Sequence, residues 1–90
     1  MSGEQKSIVQ NQVDVEINGE RYILKGDIAP ENMFLMSRHV DEQIRLIMRR
    51  NPRLSLYKAA VLAALNITEE LFTLRDEYDN LMNILEPENK

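Results

Sequence analysis

The chain contains no cysteine. That excludes disulfide frameworks, thiolate zinc sites and cysteine nucleophiles together. It has one histidine, His39, with no acid–base constellation beside it, which reads as a structural or surface residue. Glycine is scarce, at three residues, and no phosphate loop, metal-ligand spacing or nucleophile elbow occurs. Asp41–Glu42 and Glu69–Glu70 are neighbouring carboxylates. Adjacent helical residues point in different directions, so these read as solvated faces and not as paired catalytic acids. No enzymatic activity and no cofactor is expected. Long apolar runs are missing as well. The longest uncharged stretch, Ala59 to Thr68, is too short to span a bilayer. No apolar run follows a basic start, so no signal peptide is expected and the cytoplasm is the expected compartment. Aromatics make up 6% of the chain and do not interleave with bases, which argues against stacking on single-stranded nucleic acid.

What is present suits one small domain, or a small head with a helical tail: 90 residues, 43% hydrophobic, too apolar for wholesale disorder. The net charge of −4 hides a division. Residues 1–42 carry eight acids and four bases; residues 69–90 carry seven acids and two bases. Between them stand five bases, Arg45, Arg49, Arg50, Arg53 and Lys58, and no acid. A basic middle between acidic ends suggests a local anion-seeking surface.

The dominant pattern lies in the last third. Tyr57, Ala60, Ala64, Ile67, Leu71, Leu74, Tyr78, Leu81 and Leu85 recur at alternating spacings of three and four. That is an a/d seam sustained for about four heptads, the signature of a coiled coil. A helix over this stretch would run roughly 45 Å, too long for a small domain to cover alone. The seam asks for a second chain. In this register Glu70 is a g position and Arg75 the following e position, a pairing that a parallel dimer makes across strands. Leu56, Val61, Leu62 and Leu65 make the first half of the helix apolar nearly all round, which predicts burial on several sides, against the hairpin, the first helix and a partner. Small Ala60 and Ala64 would allow close helix approach there.

Upstream, Val13 to Ile17 alternate, Asn18-Gly19 follows, and Glu20 to Leu24 resume. Asn-Gly between such runs predicts a two-residue hairpin of type I′. The register then pairs Ile17 with Glu20, Val15 with Tyr22 and Val13 with Leu24. Pro30 opens a helix, Glu31 suits its first turn, and Met33, Met36 or Leu35, Val40, Ile44, Ile47 and Met48 form its apolar stripe. Asn51-Pro52 ends it, Ser55 caps the next helix, and Pro87 closes that one. The expected fold is α+β: an N-terminal β-hairpin packed on two helices, the second a long C-terminal coiled-coil helix that dimerises. Residues 1–12 are expected to form a mobile arm, 13–70 the globular head and 71–90 the coiled-coil tail.

Two features remain for function. The basic group has two readings, helix-dipole complement with solubility, or a docking patch for an acidic partner or phosphates. Asn66, set among apolar residues, is either a buried amide tied to backbone or an exposed contact on a binding surface.

Hairpin, amphipathic helix, basic loop and an Ala63-Ala64-Leu65-Asn66-Ile67 stretch opening a seam helix together resemble the ZapA family. Glu70 and Leu71 continue that pattern, and Asn51-Pro52, Leu54 and Lys58 resemble the loop of its shorter, Gram-positive members. The resemblance covers Val13 to about Leu85. It implies a cytoplasmic cell division accessory protein, found at the mid-cell division site, that binds the tubulin-like GTPase FtsZ and cross-links its filaments to promote Z-ring assembly. It implies a homodimer through the C-terminal coiled coil, and a tetramer if the shorter tail still lets dimers join. The family's FtsZ-facing head residues fall here on Arg49, Arg50, Arg53, Lys58 and Asn66. The alternative is a small dimeric coiled-coil protein, either associated with nucleic acid through the same patch or a structural adaptor. The acidic tail and the net charge of −4 weigh against a polyanion, and no membrane is implicated.

Overall fold

The computed structural model describes residues 10–85. Within them the order is strand β1 (Asn11–Ile17), strand β2 (Glu20–Gly26), helix α1 (Pro30–Arg50) and helix α2 (Leu56–Leu85). The expected arm lies for residues 1–9 outside the described residues, as does Pro87. Asn11 and Gln12, read with the arm, already belong to β1.

The two strands pair antiparallel with Ile17 opposite Glu20, Val15 opposite Tyr22 and Val13 opposite Leu24. Asn18 and Gly19 both have positive φ, 52° and 83°. A two-residue connection of that hand matches the right-handed twist of the strands, so turn and register agree. Val15 is buried, while Val13 and Leu24 are half-covered. The outer face carries charge, with Arg21 reaching diagonally to Asp14 at 2.9 Å.

Helix α1 is the element on which the others rest: β1 packs on one side of it and α2 on another. Pro30 stands in its first turn and Arg49 and Arg50 in its last. Its C-terminus closes at Asn51, whose amide donates to the Ile47 carbonyl at 3.0 Å. The apolar stripe holds at Met33, Val40, Ile44, Ile47 and Met48 but fails in the second turn. Leu35 and Met36 are exposed, and Ser37 takes the buried position. The hydroxyl of Ser37 donates to the Met33 carbonyl at 2.8 Å, so its polarity is satisfied within the helix.

Ser55 caps α2, accepting from the Lys58 amide at 3.2 Å. The core is small. Ile44 and Ile47 of α1 meet Ala59 and Ala63 of α2, with Ile17, Val40, Met48 and Leu54 around them. The alanines that allow close approach within the chain are thus Ala59 and Ala63; Ala60 and Ala64 are exposed. The all-round apolar character of α2 does not produce all-round burial either. Leu56, Val61, Leu62 and Leu65 stay exposed, because α1 covers a single face of the helix and the hairpin sits on α1 instead.

One polar clamp ties turn to helix. The Asn18 amide donates to Asp41 Oδ1 at 2.6 Å, and Arg45 Nε donates to Oδ2 at 2.9 Å. The Asn18 bond holds the Asp41 carboxyl below its ordinary value of 3.8; partial burial works against this and Arg45 adds to it. A depressed carboxylate stabilises the fold above its unfolded pKa and stops doing so as pH falls through the folded value. Asp41→Asn should therefore cost about 1–2 kcal/mol at neutral pH, an effect that vanishes in strong acid, measurable by denaturant unfolding at several pH values. Gly19→Ala should cost about 1 kcal/mol although nothing lies within 4 Å of the added carbon, because an L-residue is strained at that φ; thermal unfolding reads it.

Candidate functional site: an uncovered seam and a basic turn

Past the head, α2 projects without cover from any other described element. Every seam residue except half-buried Ile67 is exposed, from Tyr57 at 78% through Leu74 at 64% to Leu85 at 62%. Isolated exposed leucines are unremarkable, but a continuous apolar stripe along a thirty-residue helix marks an association surface. The rotation of α2 about its axis puts the stripe there. Ala59 and Ala63 point to α1, and the seam lies roughly 100° round the helix from them.

The basic residues gather where α1 turns into α2. Arg45 is engaged by Asp41. Arg49, Arg50, Arg53 and Lys58 are exposed, and among the described residues none of them forms an ion pair. Arg49 borders a shallow hollow with Asn18, Arg45 and Met48 next to the hairpin turn. Arg50 and Arg53 border a second with Asn51, Pro52 and Leu54. Lys58 borders a third with Leu54, Tyr57, Val61 and Leu62. Exposed guanidinium groups around a tight interhelical turn can meet carboxylates bidentately at little desolvation cost.

Asn66 is exposed, so the buried-amide reading does not hold. It lies on α2, apart from the arginine turn. Two polar contacts escaped the sequence reading. His39 Nε2 meets Glu70 Oε1 at 2.9 Å across α1 and α2, with both side chains about half exposed. That contact occupies the residue assigned to the g position. Arg75, assigned to the e position, lies over the Phe72 ring at 5.8 Å. No sequence rule pairs residues as far apart as 39 and 70; only the helix packing does. Among the described residues no helix is long and apolar enough to cross a membrane.

A small α+β head carried on a long helix whose apolar stripe is left uncovered defines an association module, a chain built to meet other chains. The family model for "Cell division protein ZapA" matches residues 13–89, and the chain belongs to that family. It is 35% identical over 79 residues to cell division protein ZapA of Geobacillus sp. (strain WCH70), spanning 88% of this chain and 91% of that one. It is 34% identical over 88 residues to cell division protein ZapA of Geobacillus kaustophilus (strain HTA426), spanning 98% and 92%. Among solved structures it resembles a ZapA mutant dimer from Geobacillus stearothermophilus, with TM-score 0.69, 31% identity and coverage of 86% and 90%. It shares its fold with an unknown conserved bacterial protein from Pseudomonas aeruginosa PAO1, at TM-score 0.66 and 23% identity.

Because Arg49 and Arg53 hold no carboxylate among the described residues, reversing both should cost no more than about 1 kcal/mol, most of it from the last turn of α1. Thermal unfolding of Arg49→Glu with Arg53→Glu should therefore stay cooperative with a small downward shift. A collapse of the transition would show that the arginines hold the head together.

Proposed function

We propose that this chain is a non-enzymatic cross-linker of FtsZ filaments that promotes Z-ring assembly in the cytoplasm at mid-cell. The observation that carries the reading is the uncovered seam of α2, in a chain that belongs to a cell division family. The seam pairs two copies; the related protein from Geobacillus stearothermophilus is itself a dimer. Each leucine moved from half-exposed to buried along it contributes about 1 kcal/mol, and the stripe is long enough to offset the cost of association. A dimer carries two heads. Two weak head contacts on neighbouring filaments then act together through effective concentration, and bundling follows without a strong single contact.

The docking surface on each head is the basic turn, Arg49, Arg50, Arg53 and Lys58, with Asn66 further along α2. Their partner is an acidic filament surface. The charge separation supports this: the bases lie at the head end, while the projecting helix carries Asp76, Glu77 and Asp79. A polyanion such as DNA would be repelled by that helix, whereas a filament can meet the heads alone.

Co-sedimentation with FtsZ filaments tests the reading. Pelleting and bundling should weaken between about 50 and about 300 mM salt, since exposed charge pairs are screened over that range. DNA should not be retained. Leu71→Asp with Leu74→Asp should give a monomer by light scattering that no longer bundles. Arg49→Glu with Arg53→Glu should stay dimeric and lose pelleting. A verified dimer that never pellets at low salt would sink the proposal, and pelleting by the arginine variant would move the docking surface elsewhere.

A further inference from the structure

Strand β2 has an open edge. The sheet consists of two strands, so each pairs on one side alone. The two-residue turn makes Ile17–Glu20 the first hydrogen-bonded pair, and Tyr22, Leu24 and Gly26 bond to β1 in the same way. The backbone N–H and C=O groups of Arg21, Ile23 and Lys25 therefore point outward along β2. Among the described residues none of them has a backbone partner. Helix α1 packs on β1, and β2 overhangs it. Tyr22 records the overhang: it stands opposite buried Val15 on the inner face, yet it is 45% exposed. Ile23, on the outer face, is 58% exposed. An open ladder flanked by exposed apolar side chains on both faces is the geometry to which an extended chain adds as a strand.

We infer that β2 takes an extended acidic peptide of a partner protein as a third strand, one in which apolar and carboxylate side chains alternate. Its apolar side chains fall on the inner face, beside Tyr22 and Leu24. Its carboxylates fall on the outer face, opposite Arg21 and Lys25, at the roughly 5 Å spacing of a cross-strand pair. Lys25 forms no ion pair among the described residues, and Arg21 meets Asp14 with its side chain 76% exposed, so both can turn to the added strand. The outer-face carboxylates of the hairpin, Asp14 and Glu16, stand one strand further off, roughly 10 Å from the peptide, where salt screens them. A second copy of β2 fits this edge badly. Antiparallel pairing about Ile23 sets Arg21 against Lys25 twice, and like charges directly opposite are destabilising. Charge at an edge keeps strands away in general; here it repels a basic strand and admits an acidic one. The Asn18–Asp41 clamp fixes the hairpin on α1, so β2 is already in place before the peptide arrives and little ordering is lost. The edge is a different surface from the arginine turn. It takes an unfolded acidic segment, whereas the turn meets a folded acidic surface.

The probe is a short blocked peptide in which valine and glutamate alternate, with its valine–lysine counterpart as control. Each is titrated into the full-length protein, and amide hydrogen exchange is followed residue by residue. At saturation the glutamate peptide should slow exchange of the Arg21, Ile23 and Lys25 amides about tenfold. It should bind about fivefold more tightly than the lysine peptide at about 50 mM salt. Ile23→Pro removes one outward N–H and leaves the ladder to β1 intact, so it should fold and bind the glutamate peptide at least about tenfold more weakly. Lys25→Glu serves if the proline variant does not fold: it should reverse the preference between the two peptides. Arg49→Glu with Arg53→Glu should bind as the wild type does, which keeps this result separate from the fate of the FtsZ proposal. Equal binding of the two peptides, or no slowing at 21, 23 and 25, would overturn the inference. So would loss of binding in the arginine variant, since the peptide would then sit on the basic turn. Protection of the β2 amides in the protein alone, rising with its concentration, would overturn it too, because a second copy would then hold the edge.

Discussion

Everything in this molecule turns on the contact of Ala59 and Ala63 with Ile44 and Ile47. Two small residues one turn apart bring the axis of α2 close to α1 and at the same time fix how α2 is rotated. Larger side chains there would hold the helices apart; a shift of one residue would turn a different face to the head. With this rotation the heptad stripe lies to one side of α1, and Val61, Leu65 and Phe72 are also left exposed. A buried isoleucine contributes about 1.5–3 kcal/mol, so two of them against two alanines make a stable joint but a thin core. The chain keeps most of its large apolar side chains for surfaces that a second chain can cover.

The hairpin takes no direct part in that joint beyond Ile17, and it is held differently. Its apolar face rests on α1 through Val15, and its turn is clamped by the carboxylate of Asp41. A two-stranded hairpin is marginal in water without such a support. The clamp has a second effect. It engages Arg45 and so removes one of the five bases from the anion-seeking group, leaving Arg49, Arg50, Arg53 and Lys58 outward. Structural and recognition charge are thereby separated over a single turn of helix.

Charge and shape then divide the molecule lengthwise. Bases crowd the end where α1 turns into α2, and acids follow along the projecting rod. An acidic partner is drawn to one end and kept off the other. That polarity suits a connector whose heads touch other molecules and whose rods touch each other, and it accords with membership of a cell division family.

Much of this was legible along the chain, for local reasons. Asn18-Gly19 specifies a turn of one hand, and the strand pairing follows residue for residue. Pro30, Asn51-Pro52 and Ser55 mark helix ends through backbone chemistry that needs no distant partner. The heptad stripe is visible because its period is set by the helix itself. Buried Ser37 in place of Met36 was not legible, since only the rotation of α1 against its neighbours decides which position of that turn is covered. Nor was the exposure of Leu56, Val61, Leu62 and Leu65: an apolar side chain records that something covers it, not which chain does. His39 with Glu70 and Asn18 with Asp41 belong to the same class. Local periodicity and turn chemistry settle which elements form, because their causes lie within a few residues. Which faces meet, and which are left for another molecule, depends on helix rotation, and only the packing of Ala59 and Ala63 decided that.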